Sequence, residues 1–222
     1  MSSDAEEHRR RSRAARTAGA LYLAFVLLSI LADVIGDIGL SDDAALARVI
    51  ETAEVRFRAG LVLAMLADLL FLLAAWMLYV LLRPHGEAGA LLFLVLNAVG
   101  AAVHVAGLVE LAAALAQGGA GPVDAAIALH GYGVVAAQVF FGAWLVPLGI
   151  LLLRSGVVPR LLGYLVLLDA VAVTFWFLQA MLLPDHRELS YPAWAVSFLA
   201  EVGLSLWLLV RGARDPATRR YT

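Results

Sequence analysis

Hydrophobic and polar residues alternate along this chain in long blocks. Apolar runs occupy about 17–38, 59–82, 88–112, 130–153, 161–183 and 192–210, separated by short polar stretches. Crossing about 30 Å of hydrocarbon takes roughly 20 helical residues, so each run is long enough to span a bilayer. None has the strict alternation of an outer-membrane strand, which leaves helices as the way to satisfy the backbone in lipid. The pattern predicts an all-α polytopic protein, a six-transmembrane-helix bundle over 17–211, with a basic tail at 1–16 and a second tail at 212–222.

One polar stretch has a different period. In "SDDAALARVIETAEVRFRAG", Leu46, Val49, Ile50, Ala53 and Phe57 recur at helical spacing opposite Arg48, Glu51 and Glu54, with Ser41, Asp42 or Asp43 placed to cap. An amphipathic helix over about 42–57, lying on the outer membrane surface, is expected. It is either a lid over an outward-facing cavity or a connector that seals the bundle. "QGGAGPVDAA" reads as a Gly/Pro outer loop, and "RPHGEAG" and "RSGVVPR" as short inner turns that make spans two and three, and four and five, antiparallel neighbours. The starts "AGALYL", "AGALLF" and "LLGYLV", with "LADLLFLL" and "LAEVGLSL" deeper in spans two and six, are consistent with three divergent helical hairpins.

Composition supports a membrane location: 63% of the residues are hydrophobic, 15% are charged, and the mean hydropathy is +0.88. The charge balance then orients the chain. There is no lysine, and with the N-terminus inside, twelve arginines fall on the cytoplasmic side against Arg48, Arg56, Arg58 and Arg187 outside. Basic loops stay inside, so both termini are expected in the cytoplasm, with the chain in the plasma (inner) membrane of a bacterium. The net charge of -2 averages two unlike rims, and nothing points to nucleic acid. The first apolar run is too long for a secretory signal and no small-x-small site follows it, so an uncleaved span is expected. Without cysteine, disulfides, zinc-thiolate sites, iron-sulfur clusters and thiolate nucleophiles are excluded.

The candidate chemistry lies in polar groups inside the apolar runs. An ionisable group at membrane depth costs roughly 2.5–3.5 kcal/mol on insertion scales and normally faces the bundle interior or a water-filled cavity. Asp33 lies in span one near Ser29 and Asp37, and Asp68 in span two. Asn97, Gly100, His104 and Gly107 share a face of span three, with Glu110 near its outer end. His130 opens span four and Gln138 lies deeper, with Pro147 expected to kink the helix. Asp169, Trp176 and Gln179 lie in span five, and Ser197, Glu201 and Ser205 in span six. By depth, Asp33, His104, Glu110, His130 and Gln179 belong to the outer half, and Asp68, Asn97, Gln138, Asp169 and Glu201 lie deeper.

Asp68, Asp169 and Glu201 are candidate acids or proton carriers. Asp33, Asn97, His104, Glu110, His130, Gln138, Trp144, Trp176 and Gln179 are candidate ligand-binding residues. His104 and His130 are also a candidate pair for a heme or, with Asp33 or Glu110, a metal. Three functions fit these groups. The first is binding or acid/base processing of a lipophilic small molecule within the bundle, as an acid-initiated isoprenoid cyclase or isomerase would require. The others are a small proton-coupled transporter and an accessory protein whose buried polar groups set helix register; a homo-oligomer is compatible with each.

"LADLLFLLAAWMLYVLLRP" at 66 and "LHGYGVVAAQVFFGAWLVPLGILLLRSGVVPRLLGYLVLL" at 129 resemble the bacterial integral-membrane family called domain of unknown function 4386. The resemblance extends through "AGALYL" and "AEVGLSLWLLVRG". It rests most on His130, Gly133, Gln138, Phe141, Gly142, Trp144, Pro147, Gly149, Ser155, Gly156, Pro159 and Gly163. Gly131 stands where the family often has an acidic residue beside the histidine. The resemblance implies a multi-pass bacterial membrane protein with no assigned activity.

Overall fold

Lipid offers the backbone no hydrogen-bonding partner, so each apolar run closes its own ladder as an α-helix. The computed structural model describes residues 3–39, 43–117 and 120–213. Among these lie seven α-helices: α1 (Ser3–Gly36), α2 (Asp43–Thr52), α3 (Glu54–Leu82), α4 (Glu87–Gln117), α5 (Ala120–Ser155), α6 (Arg160–Leu182) and α7 (Tyr191–Arg211). All but α2 are long and apolar enough to cross a membrane. The fold is therefore the expected all-α polytopic one.

The boundaries differ from expectation in ways that local chemistry explains. α1 extends back to Ser3, so the basic tail is helical from that residue on. At 1.5 Å per residue its 34 residues reach about 51 Å, more than the roughly 30 Å of a bilayer's hydrocarbon. The amphipathic helix stops at Thr52, because Ala53 leaves helical geometry (φ -143°, ψ 51°) and separates it from α3. Phe57 therefore belongs to α3. α5 begins at Ala120, with Pro122 in its first turn, where a missing N–H costs no hydrogen bond. His130 is thus ten residues into the helix and does not open it. α5 also runs through Pro147 without ending. Ser41, Asp42, Gly118, Gly119 and the tail from 214 to 222 lie outside the described residues.

The helices form a ring in chain order. α1 packs on α3, α3 on α4, α4 on α5, α5 on α6, α6 on α7, and α7 returns to α1. Ser12 of α1 lies against Gly212 after α7, and Arg11 lies 3.4 Å from His85 in the α3–α4 turn. One end of the ring, the terminal end, therefore carries both ends of the described chain and several arginines.

Glycines set the spacing of most seams. A Cβ built on Gly36 falls 2.8 Å from the Gly60 Cα at α1/α3, and one on Gly19 falls 2.5 Å from the Leu209 nitrogen at α1/α7. Gly107 and Gly133 close α4/α5, while Gly142, Gly149 and Gly163 bring α5 and α6 together. Small residues let helices approach where lipid supplies no hydrophobic drive for association. Among the described glycines none makes a backbone approach across α3/α4 or α6/α7. Those two seams carry hydrogen bonds to carboxyl groups.

Aromatic rings fill the centre of the ring toward the terminal end. Trp144 of α5 meets Phe71 of α3 edge-on at 5.2 Å and Phe93 of α4 at 6.2 Å, with Tyr22 of α1 at 6.4 Å. Phe25 stacks on Phe71 at 4.3 Å. At the opposite end α2 lies against α3 and α5, burying Leu46, Val49 and Ile50 among Ile38, Phe57, Leu61, Leu108 and Ile127. Burying such a side chain stabilises by about 1.5–3 kcal/mol, and a charge in its place costs more. Ile50→Asp is therefore expected to undock α2. Amides of residues 43–52 should then exchange with deuterium as fast as those of an unstructured peptide while the long helices stay protected. Unchanged protection would show that α2 does not depend on this contact.

Candidate functional site

Two groups of polar side chains face the interior on different sides of the ring. The first joins α3, α4 and α5. Asp68 is buried, and both its oxygens lie within hydrogen-bonding distance of His104 Nδ1, at 2.8 and 3.1 Å. If Nδ1–H is the donor, the lone pair of His104 resides on Nε2. The His130 ring centre lies 6.1 Å from that of His104. His130 is buried, and its Nδ1 rests near the Gly107 backbone without a hydrogen bond of ordinary geometry. Asp68 and His104 thus lie at one level, which corrects the placement of Asp68 deeper than His104. Direct contact decides their relative depth, which counting residues from approximate span ends does not.

The second group joins α1, α6 and α7. Ser197 Oγ donates to Asp169 Oδ1 at 2.5 Å, and Asp169, only 1% exposed, leaves Oδ2 without a partner. Glu201 lies one turn along α7 from Ser197, within electrostatic reach of both Asp169 and the Tyr22 hydroxyl. The helix register supports this juxtaposition. Gly19 sits on the Ser205 carbonyl, so one turn along both helices brings Tyr22 opposite Glu201. Tyr22 is not among the sequence candidates. Ala15, Ala18, Tyr22 and Val26 recur at helical spacing and all are buried, a face that only the structure separates from the rest of the apolar run.

The other candidates stand apart from these groups. Gln179 Oε1 accepts from Ser190 Oγ, and Gln179 Nε2 donates to the Leu183 carbonyl at 2.8 Å, which ties the end of α6 to the turn before α7. Gln138 Nε2 donates back to the Val134 carbonyl at 3.1 Å within α5. Asn97 is 0% exposed and neither amide atom has a hydrogen bond to protein. Asp33 lies beside Gly39 after α1, and Glu110 is exposed on α4. Trp144 is locked in the central aromatic cluster, whereas Trp176 meets Trp194 edge-on at 5.8 Å. Among the described residues no three or more His, Asp or Glu are grouped to hold a metal ion.

An open groove of about 410 Å³ runs between α6 and α7 toward the terminal end, lined by residues that include Leu162, Gly203, Leu206 and Trp207. It belongs to the same seam as Asp169 and Glu201. The sequence profile of the family described as "Domain of unknown function (DUF4386)" matches residues 17–212. No curated protein sequence and no solved structure matches the chain.

Proposed function

The chain belongs to the DUF4386 family, and from that premise we propose that it is a small proton-coupled membrane transporter whose proton is held by Asp169 and Glu201. One observation carries this reading. Two carboxyl groups from adjacent helices lie within electrostatic reach of each other across the α6/α7 seam, and buried Asp169 has one hydroxyl partner, at Oδ1, and none at Oδ2. Two carboxylates within electrostatic reach repel each other, and protonating one of them removes a charge. The protonated pair lets α6 and α7 close. Losing the proton drives them apart along a seam where, among the described glycines, none makes a backbone approach. The arginine distribution supports cytoplasmic termini in the inner membrane of a bacterium.

The groove between α6 and α7 favours a second reading, in which a lipophilic small molecule enters along that seam and the same carboxyls act on it as acid and base. Vesicles holding the protein and a trapped pH-sensitive dye separate the two when challenged with pools of amino acids, sugars, organic cations and lipophiles. Transport is expected as proton movement that depends on one solute class. Asp169→Asn and Glu201→Gln should each reduce it to the protein-free rate while eluting as folded protein. Movement that needs no solute, or that both variants retain, would overturn the proposal. A lipophile of constant mass retained in native mass spectra, with no solute-dependent movement, would establish the second reading.

A further inference from the structure

We propose that His104 and His130, with Asp68 as the orienting group, form a two-imidazole site for a soft monovalent cation of the copper(I) type. The site lies across the ring from Asp169 and Glu201 and does not rest on the proton reading.

The argument begins with the hydrogen bond of Asp68 to His104 Nδ1, at 2.8 Å. A histidine that ligates through one nitrogen almost always donates its other N–H to a carboxylate, a carbonyl or water, which fixes the tautomer and raises the basicity of the ligating atom. Asp68 supplies that arrangement and leaves His104 Nε2 as the donor. His130 meets the second condition: it is buried, and its Nδ1 rests against the Gly107 backbone, which leaves Nε2 as the nitrogen to ligate.

Spacing makes the two rings a pair. With about 2.0–2.1 Å from ion to nitrogen and roughly 1.2 Å from nitrogen to ring centre, imidazoles sharing an ion have centres about 6.4 Å apart when collinear and about 5.2 Å apart at a tetrahedral angle. The observed 6.1 Å lies between the two and corresponds to an angle of roughly 145° at the ion. The backbone holds this spacing, because Gly107 and Gly133 bring α4 and α5 together beside the rings, with a Cβ built on Gly133 only 3.4 Å from the Gly107 Cα.

Charge then selects the ion. Imidazole suits zinc, copper, iron and nickel. At membrane depth a divalent ion beside the single Asp68 carboxylate would leave a net positive charge, which lipid penalises. A monovalent ion balances Asp68, and copper(I) accepts two nitrogens at so wide an angle. The neutral triad Asp68, cation and paired histidines is therefore the form that suits the interior.

Silver(I), redox-inert and of the same charge, is the probe. Full-length protein in nanodiscs is expected to retain one silver per chain after desalting, measured by elemental mass spectrometry. His104→Gln and His130→Gln should each abolish retention, and Asp68→Asn should weaken it by about 10–100-fold. Asp169→Asn should keep it, so failure of the proton reading leaves this result standing. Histidine ¹⁵N spectra of the unmutated protein guard against misfolded variants: silver should shift ring nitrogens of His104 and His130 and leave His85 and His186 unchanged. Absence of stoichiometric silver in the unmutated protein, retention undiminished in His130→Gln, or shifts confined to other histidines would overturn the proposal. Retention of one zinc and no silver would overturn the monovalent assignment.

Discussion

Gly60→Leu is expected to leave no folded protein. At the α1/α3 crossing, a Cβ built on Gly60 lies 2.6 Å from the Gly36 Cα and 3.0 Å from the Gly36 nitrogen. Real Cβ atoms essentially never come within 3.0 Å of another heavy atom, and the atoms in the way belong to the backbone, so no change of rotamer relieves the clash. Ordinary overpacking costs about 1–3 kcal/mol and occasionally more. Here a whole isobutyl group would have to push apart a pair of helices that also bury Ala32, Phe57 and Ala64 at this end of the bundle. Fluorescence-detected size exclusion provides the measurement: Gly60→Leu should give aggregate or no protein, and Gly60→Ala a reduced monodisperse peak. A Gly60→Leu peak with the height and melting temperature of the unmutated protein would mean that the two helices are not held this closely.

Trp144→Ala is expected to be the most damaging change that removes packing. Trp144 is 1% exposed and brings α5 against Tyr22, Phe71 and Phe93, which come from three other helices. Truncating a buried tryptophan costs about 3–5 kcal/mol, some of it for the cavity left behind. Edge-to-face ring pairs contribute about 0.5–1.5 kcal/mol beyond buried area, and two such pairs would be lost. Unfolding titrated with a denaturing detergent should show the full loss for Trp144→Ala and a smaller one for Trp144→Phe, which keeps a ring in place. Equal stability of all three proteins would show that the aromatic centre does not hold the ring together.

The same physics explains what can be read from the chain and what cannot. The spans and the amphipathic helix are legible because bilayer thickness and backbone hydrogen bonding leave few alternatives. Polar residues that need an explanation are legible as well, since Asp68, Asn97, His104, His130, Asp169 and Glu201 interrupt apolar runs. Their grouping is not. Asp68 and His104 are 36 positions apart, and Asp169 and Ser197 are 28 apart. Ser190, the partner of Gln179, looks in sequence like an ordinary loop residue.

Rotation about the helix axis is hidden for a related reason. A helix at the surface of a water-soluble domain shows its buried face as an apolar stripe, and α2 does so with Leu46, Val49 and Ile50. A helix in lipid is apolar on both faces, so hydropathy does not say which side meets its neighbours. Tyr22 escapes a sequence reading on this account. It lies in an apolar run whose lipid-facing and interior residues are alike in type, and only its place opposite Glu201 distinguishes it.

By itself, then, the sequence determined that this protein is all-helical, that six of its helices can cross a membrane, and which family it belongs to. Those properties depend on the length and composition of single segments. The tertiary structure decided which polar groups meet. Glycine contacts bring α4 to α5 and α1 to α7, and hydrogen bonds to carboxyl groups join α3 to α4 and α6 to α7; together these place Asp68 with His104 and His130 on one side of the ring and Tyr22, Asp169, Ser197 and Glu201 on the other.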